Sequence, residues 1–343
     1  MTEKLNNIYI KETALVAGKL EKEGKLGEYF DKTYKDYNMD KSLEQGEVKM
    51  QKDAIDILLK KTKMKKEDIN IIIGGDLQNQ ICATSYATKN YNTPFIGVFS
   101  ACATSTESLI IASSLMENNY IKNAICTTSS HNLAEEKQFR NPTEYGYTKP
   151  KTATFTSTGA SAILLTKEPT NVKITDFTIG KIIDLNQKDP NNMGAVMAPA
   201  AADTLYKHLE NLKITPDYYD LILTGDLGIY GKEILKDYMK QNYNIKLENY
   251  NDCGAMLYDL ENQKQITAGG SGPVCSTLVN YGYIYNMLKT KKLKKVLLIA
   301  TGALFSPTYV FQKQNIPSIA HAVGLEAVQW CTFTHSYFVE YCP

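Results

Sequence analysis

An internal repeat constrains this 343-residue chain more than any other feature. Residues 68–77 (DINIIIGGDL) recur as residues 219–227 (YDLILTGDL), which sets Asp76 against Asp226 at an offset of 150. Further along, Cys102 is matched by Cys275 at an offset of 173, and that offset also carries residues 124–128 (AICTT) onto 297–301 (LLIAT) without a gap. Each half reads strand, Gly-Asp-Leu turn, small-residue turn with a cysteine, helix, strand. Keeping that order twice is the signature of a duplicated unit.

Short β-branched runs alternate with longer helical patterns. Strands are expected at 70–73, 95–99 and 123–127, with a helix over 104–118 carrying Leu109, Ala112 and Leu115 at helical spacing. Such alternation predicts α/β architecture with buried, largely parallel strands. Two halves, each presenting a sheet, are expected to pack face to face with central helices between them. Small residues on several faces of the 104–118 helix (Ser105, Ser108, Ala112, Ser113, Ser114) suit an enclosed position. Residues 186–202 hold Pro190, Gly194 and Pro199, which predicts a long irregular connection. The expected division is therefore 1–185, 186–328 and an atypical, aromatic-rich tail at 329–343 that holds the only tryptophan.

Composition excludes several classes. A net charge of +1 offers no concentrated basic surface for nucleic acid. The lysines of 289–295 precede an apolar strand and read as a solvated helix end. The N-terminus has no apolar signal core, and no run of about 18 apolar residues spans a membrane. Seven scattered cysteines without a CxxC pair predict reduced thiols, neither a disulfide framework nor a zinc site.

The chemistry-bearing candidate is Cys102, which follows a strand and begins a helix. Two readings stand. Unpaired N–H groups and the helix dipole stabilise a thiolate there, or the residue is a small buried cysteine in a tight turn. A nucleophilic cysteine needs a base and an oxyanion donor. Of the four histidines, His208 lies in a polar helical stretch and is expected at the surface. His321 is expected to be structural, and His335 falls in the tail. His131 follows a strand ending TTSS, where polar clusters line crevices, or it caps a loop. The polar, aromatic stretch 129–150 is exposed or closes over a ligand, and its Lys137 and Arg140 are of a type to pair with a carboxylate. Residues 269–273 (GGSGP) lack a following lysine and GxGxxG spacing, so nucleotide binding is rejected.

Ten segments in order carry a resemblance: 27–34 (GEYFDKTY), 75–80 (GDLQNQ), 100–105 (SACATS), 128–132 (TSSHN), 136–146 (EKQFRNPTEYG), 197–204 (MAPAAADT), 223–228 (LTGDLG), 252–254 (DCG), 268–272 (AGGSG) and 300–307 (ATGALFSP). The chain resembles the thiolase superfamily and, more closely, its stage V sporulation protein AD family. The resemblance implies a thiolase-like fold of two duplicated α/β halves in αβαβα layers. It implies binding of dipicolinic acid, with or without calcium, and no other cofactor. It further implies a place in the SpoVA assembly, peripheral on the inner spore membrane, serving dipicolinate uptake into the forespore and release in germination. Analogy with thiolases implies a homodimer paired through a sheet edge.

Condensing relatives place histidine, or histidine and asparagine, on turns of the second half. Here those turns read TGDLG (224–228) and GSGPVCS (270–276), without a histidine. No catalytic residues are therefore expected, and the chain reads as a binder. The competing reading is an acyl-CoA or acyl-carrier-protein acyltransferase or condensing enzyme using Cys102. The expected ligand site groups Asp76, Cys102, Ser129, His131 and Ser271. Asp76 is either a turn residue bonding its own backbone or a calcium ligand acting through bound dipicolinate.

Overall fold

A computed structural model describes residues 1–36, 40–139 and 149–329. Ten strands build the frame. In the first half these are β1 (Thr2–Ala17), β2 (Ile71–Gly75), β3 (Phe95–Gly97), β4 (Asn123–Ser130) and β5 (Gly159–Thr166). In the second they are β6 (Val172–Ile179), β7 (Leu221–Thr224), β8 (Tyr250–Asp252), β9 (Lys295–Ala303) and β10 (Ser318–Ala327). Their lateral order is β3-β2-β4-β5-β1 followed by β6-β10-β9-β7-β8, so each half mirrors the other. The repeat is thus present in three dimensions, with β2 answering β7 and β4 answering β9.

The sheet order adds two findings. Strand β6, which precedes residue 186, lies between β1 and β10. The halves are also hydrogen-bonded to each other, because the 16-residue β1 pairs with β5 along Tyr9–Ala17 and with β6 through Thr2–Lys4 and Ile8–Tyr9. A register shift separates the two β6 segments, and Asn7 adopts φ +55° there, a conformation asparagine tolerates.

Five helices set the layers: α1 (Leu43–Thr62), α2 (Cys82–Thr88), α3 (Thr104–Glu117), α4 (Asn132–Phe139) and α5 (Met193–Leu212). They are followed by α6 (Gly228–Tyr243) and by α7, which runs from Pro273–Thr277 through a π-helical Leu278–Ile284 into Tyr285–Lys289. Helix α1 starts at Ser42, whose side chain accepts from the Gln45 N–H, and buries Met50, Ala54 and Leu58 against β1, β4 and β5. Helix α5 covers β9 and β10 on the other side. Between the sheets lie α3 and α7, with α3 touching β2 and β4 of one half and β9 and β10 of the other. The expected αβαβα layering follows.

Strand alternation feeds these layers. Ile71 and Ile73 point into the central core with Leu109 and Met116 of α3, while Ile72 joins Met50 and Leu58 on the α1 side. In the second half Leu297 and Ile299 face Met197 and Leu205 of α5. Where α3 and α7 meet, Ser105 and Ser276 share a hydrogen bond of 3.1 Å, so small residues allow two buried helices to approach closely.

Residues 193–202 correct the irregular connection expected there. The chain is irregular only as far as Asn192, whose side chain caps α5 by accepting from the Ala195 N–H, and Pro199 lies inside the helix. An interior proline costs about 3 kcal/mol. Burial of an alanine-rich helix against two strands offsets that, a term local composition does not contain. His208 also departs from expectation. It is fully buried, with Nδ1 2.8 Å from Thr178 Oγ1 and Nε2 2.6 Å from the Tyr219 hydroxyl. Burial pushes its pKa down to about 4. His321 is structural as expected, its Nδ1 accepting from the Gly180 N–H.

Candidate functional site

The site begins where the first-half sheet ends. After β3 the chain turns through Ser100 and Ala101, and Ala101 takes φ +49°. A left-handed alanine is strained, and the surrounding bonds hold it. Thr104 Oγ1 accepts from the Ser100 N–H at 3.0 Å and donates to the Ala101 carbonyl at 2.7 Å, so one side chain pins both ends of the turn. Strand β9 passes beneath at Gly302, so closely that a Cβ there would stand 2.2 Å from the Ser100 carbonyl oxygen. Cys102 is thereby fixed at the head of α3, buried beside the second half.

Two second-half turns face it. Ser271 Oγ lies 4.0 Å from the Cys102 sulfur. Asp226 is fully enclosed: Oδ1 accepts from Thr301 Oγ1 at 2.7 Å, and Oδ2 accepts from Ser271 Oγ at 3.0 Å and the Gly272 N–H at 3.1 Å. Burial first, and the Asp226 carboxylate second, push the Cys102 thiol well above its usual range. The Gly272 N–H and Ser271 pull the other way without prevailing. The thiolate that the position at a helix head suggested is therefore disfavoured. The neighbouring Asp226 carboxylate disfavours a second negative charge on the sulfur.

Cys102 and Ser271 open onto a narrow cavity of about 40 Å³, room for a few waters. Phe99, Phe139, Phe305 and Met193 supply apolar walls; Thr156, Glu135 and Glu136 supply polar ones. Glu136 accepts from Thr156 Oγ1 at 3.3 Å and pairs with Lys149 at 2.9 Å. Leu77, Phe99, Phe139 and Phe305 are shared with an adjoining groove along residues 78–81 and 97–99.

Asp76, Ser129 and His131 are placed behind this wall, not on it. Asp76 is fully buried, with Oδ1 accepting from the Gln78 N–H at 2.9 Å and Oδ2 from the N–H and hydroxyl of Thr84 at 2.7 and 2.6 Å. Those bonds are the ones expected of a turn residue. Ser129 donates to Glu47 Oε1 at 2.8 Å, and the His131 N–H donates to Glu135 Oε2 at 2.7 Å. Among the described residues no three His, Cys, Asp or Glu side chains converge as a metal site. Lys137 pairs with Glu44 at 3.2 Å on the exterior. Arg140, His335 and residues 330–343 of the tail lie outside the described residues.

Sequence reasoning missed Glu47, Glu135, Glu136 and the action of Asp226 on Cys102. A signal existed for Glu47, which falls on the apolar stripe of α1 with Met50, Ala54 and Leu58. A carboxylate on such a stripe marks either a buried polar cluster or a break in the pattern.

The family model for stage V sporulation protein AD (SpoVAD) matches residues 2–326. The chain belongs to the SpoVAD family. It is 44% identical over 320 residues to stage V sporulation protein AD of Bacillus subtilis (strain 168), covering 93% of this chain and 94% of that protein. The fold is shared more widely. The 3-oxoacyl-[acyl-carrier-protein] synthase III of Aquifex aeolicus VF5 superimposes with a TM-score of 0.56 at 14% identity, covering 93% of this chain and 99% of that one. OleA of Xanthomonas campestris, as its E117Q form, gives 0.60 at 13% identity, covering 94% and 99%. Membership in the SpoVAD family makes this a sporulation protein on a thiolase-like fold.

Proposed function

We propose that this SpoVAD-family chain binds dipicolinic acid, alone or as its calcium salt, in the cavity at Cys102 and does not transform it. The carrying observation is the pairing of Cys102 with Asp226. A thiol held protonated by burial and by a neighbouring carboxylate is a poor nucleophile, and no histidine lines the cavity among the described residues. Flat phenylalanine faces suit a pyridine ring, and the Ser271 and Thr156 hydroxyls, which here donate to Asp226 and Glu136, turn to the carboxylates of an entering ligand. The cavity is tight, so a ring enters as Phe139 and Phe305, whose centroids stand 6.3 Å apart, move aside. In this reading the chain serves the SpoVA assembly at the inner spore membrane, in dipicolinate uptake and in its release at germination. No helix among the described residues is long and apolar enough to cross a membrane.

Titration calorimetry with dipicolinate tests the reading. Ser271→Ala removes one hydroxyl donor worth about 1.4 kcal/mol and is expected to weaken binding about tenfold while the melting curve stays in place. Equal affinity in parent and variant would move the ligand elsewhere. A homodimer belongs to the same proposal: edge strand β3 leaves Phe95, Ile96 and nearby Phe99 exposed by 37%, 37% and 48%. Ile96→Glu is expected to shift the sedimenting species to monomer. A monomeric parent would count against pairing.

A further inference from the structure

The cavity poses a charge problem. A dicarboxylate ligand is an anion, yet the wall presents Glu135 and Glu136, and only Glu136 has a lysine. Behind the wall the acids continue. Glu135 on α4 faces Glu47 on α1, two helices that pack together, and Asp76 on the turn after β2 adds its charge to Glu47. Two carboxyl groups bond to each other only with a proton between them.

Resting on the dipicolinate reading above, we propose that Glu135 contacts the ligand as a carboxylic acid, sharing its proton with Glu47, so that the anion enters together with a proton. The surroundings of the pair were built for this. Glu47 accepts from Ser129 Oγ and from Gln78 Nε2 at 2.7 Å, and the remaining position faces Glu135. Glu135 accepts from the His131 N–H through Oε2, and no N–H or O–H donor reaches its buried Oε1. The other charged or titratable neighbours are Asp76 below, Glu136 and His131 on or beside α4, and Cys102 across the cavity. Among the described residues no lysine or arginine pairs with Glu47, Glu135 or Asp76. A protonated carboxyl on the wall donates a hydrogen bond to a ligand carboxylate, where an ionised one repels it.

The sign of the pH dependence follows. Burial raises both acids, Glu47 to about 7 and Glu135 well above the usual carboxylate range. Below that range both hold protons, and binding takes up none. As pH rises past 7 the pair in the free protein loses its first proton, and an entering anion draws it back, so affinity falls as pH rises, by up to about tenfold per unit for one linked proton.

Calorimetry of the full chain with dipicolinate, under a calcium chelator and in buffers of different ionisation enthalpy, reads the proton directly. The expected result is uptake approaching about one proton per ligand near about pH 8, with affinity falling across that range. Glu47→Gln should abolish the uptake and flatten the pH profile. Glu135→Gln, which keeps a donor, should bind, while Glu135→Leu should bind at least about tenfold more weakly. Binding that moves no proton and ignores pH, or that requires calcium without proton uptake, overturns the Glu135 assignment and leaves the dipicolinate reading standing. No binding at any pH, with or without calcium, brings down both.

Discussion

Replacing Asp226 with asparagine is expected to speed alkylation of Cys102 by iodoacetamide at least about tenfold near about pH 8, because each unit by which the thiol pKa falls yields about ten times more thiolate. Asp226 presses on the thiol through its charge and also through a hydrogen bond that the protonated sulfur donates. Asparagine removes the charge and keeps an oxygen for Thr301 Oγ1, so the second-half turn retains one of its anchors. Peptide-resolved mass spectrometry carries its own reference: Cys82 is exposed, lies on α2, and should react alike in both proteins. A parent Cys102 as fast as Cys82 would mean an ionised sulfur. The acyl-transfer reading would then regain its nucleophile.

The second large effect comes from two glycines that the repeat makes equivalent. Gly75 and Gly225 both precede the Asp-Leu of their half. A Cβ on Gly75 would stand 2.0 Å from the Val98 carbonyl oxygen, backbone that cannot retreat without unpairing β2 from its neighbour. A Cβ on Gly225 meets nothing nearer than 3.2 Å, at the Ala300 Cα. Gly75→Ala is expected to cost more than about 3 kcal/mol, in the range of severe overpacking, and Gly225→Ala no more than about 1 kcal/mol. Thermal melts of the two variants should differ by several degrees. Equal melting temperatures would mean that the two halves tolerate crowding alike, contrary to their packing.

That asymmetry explains why the site was only partly readable. The Cys102 turn, the second-half turns at 224–228 and 270–276, and their lack of histidine were all visible as residues, and the fold does bring Cys102, Ser271 and Asp226 together. Asp76 stood between a turn residue and a calcium ligand, and its repeat partner is Asp226. The copies diverge in surroundings: Thr84 and the Gln78 N–H claim both oxygens of Asp76, whereas Asp226 turns its carboxylate toward a thiol. His208 misled for a related reason, since lysine and glutamate neighbours along α5 hide the fact that its own face is turned inward.

What the sequence determined by itself was periodicity and order: alternation that builds strands, spacing that builds α3, and a duplicated motif that requires two halves of like topology. Those are properties of neighbours along the chain, so they survive without coordinates. What only the tertiary structure decided was which polar groups lost their water, and against whom. The pairing of Glu47 with Glu135, the pressure of Asp226 on Cys102 and the retirement of Asp76 into a turn all arise between segments far apart in sequence. Burial and proximity set the charge of each group there, and neither is a local quantity.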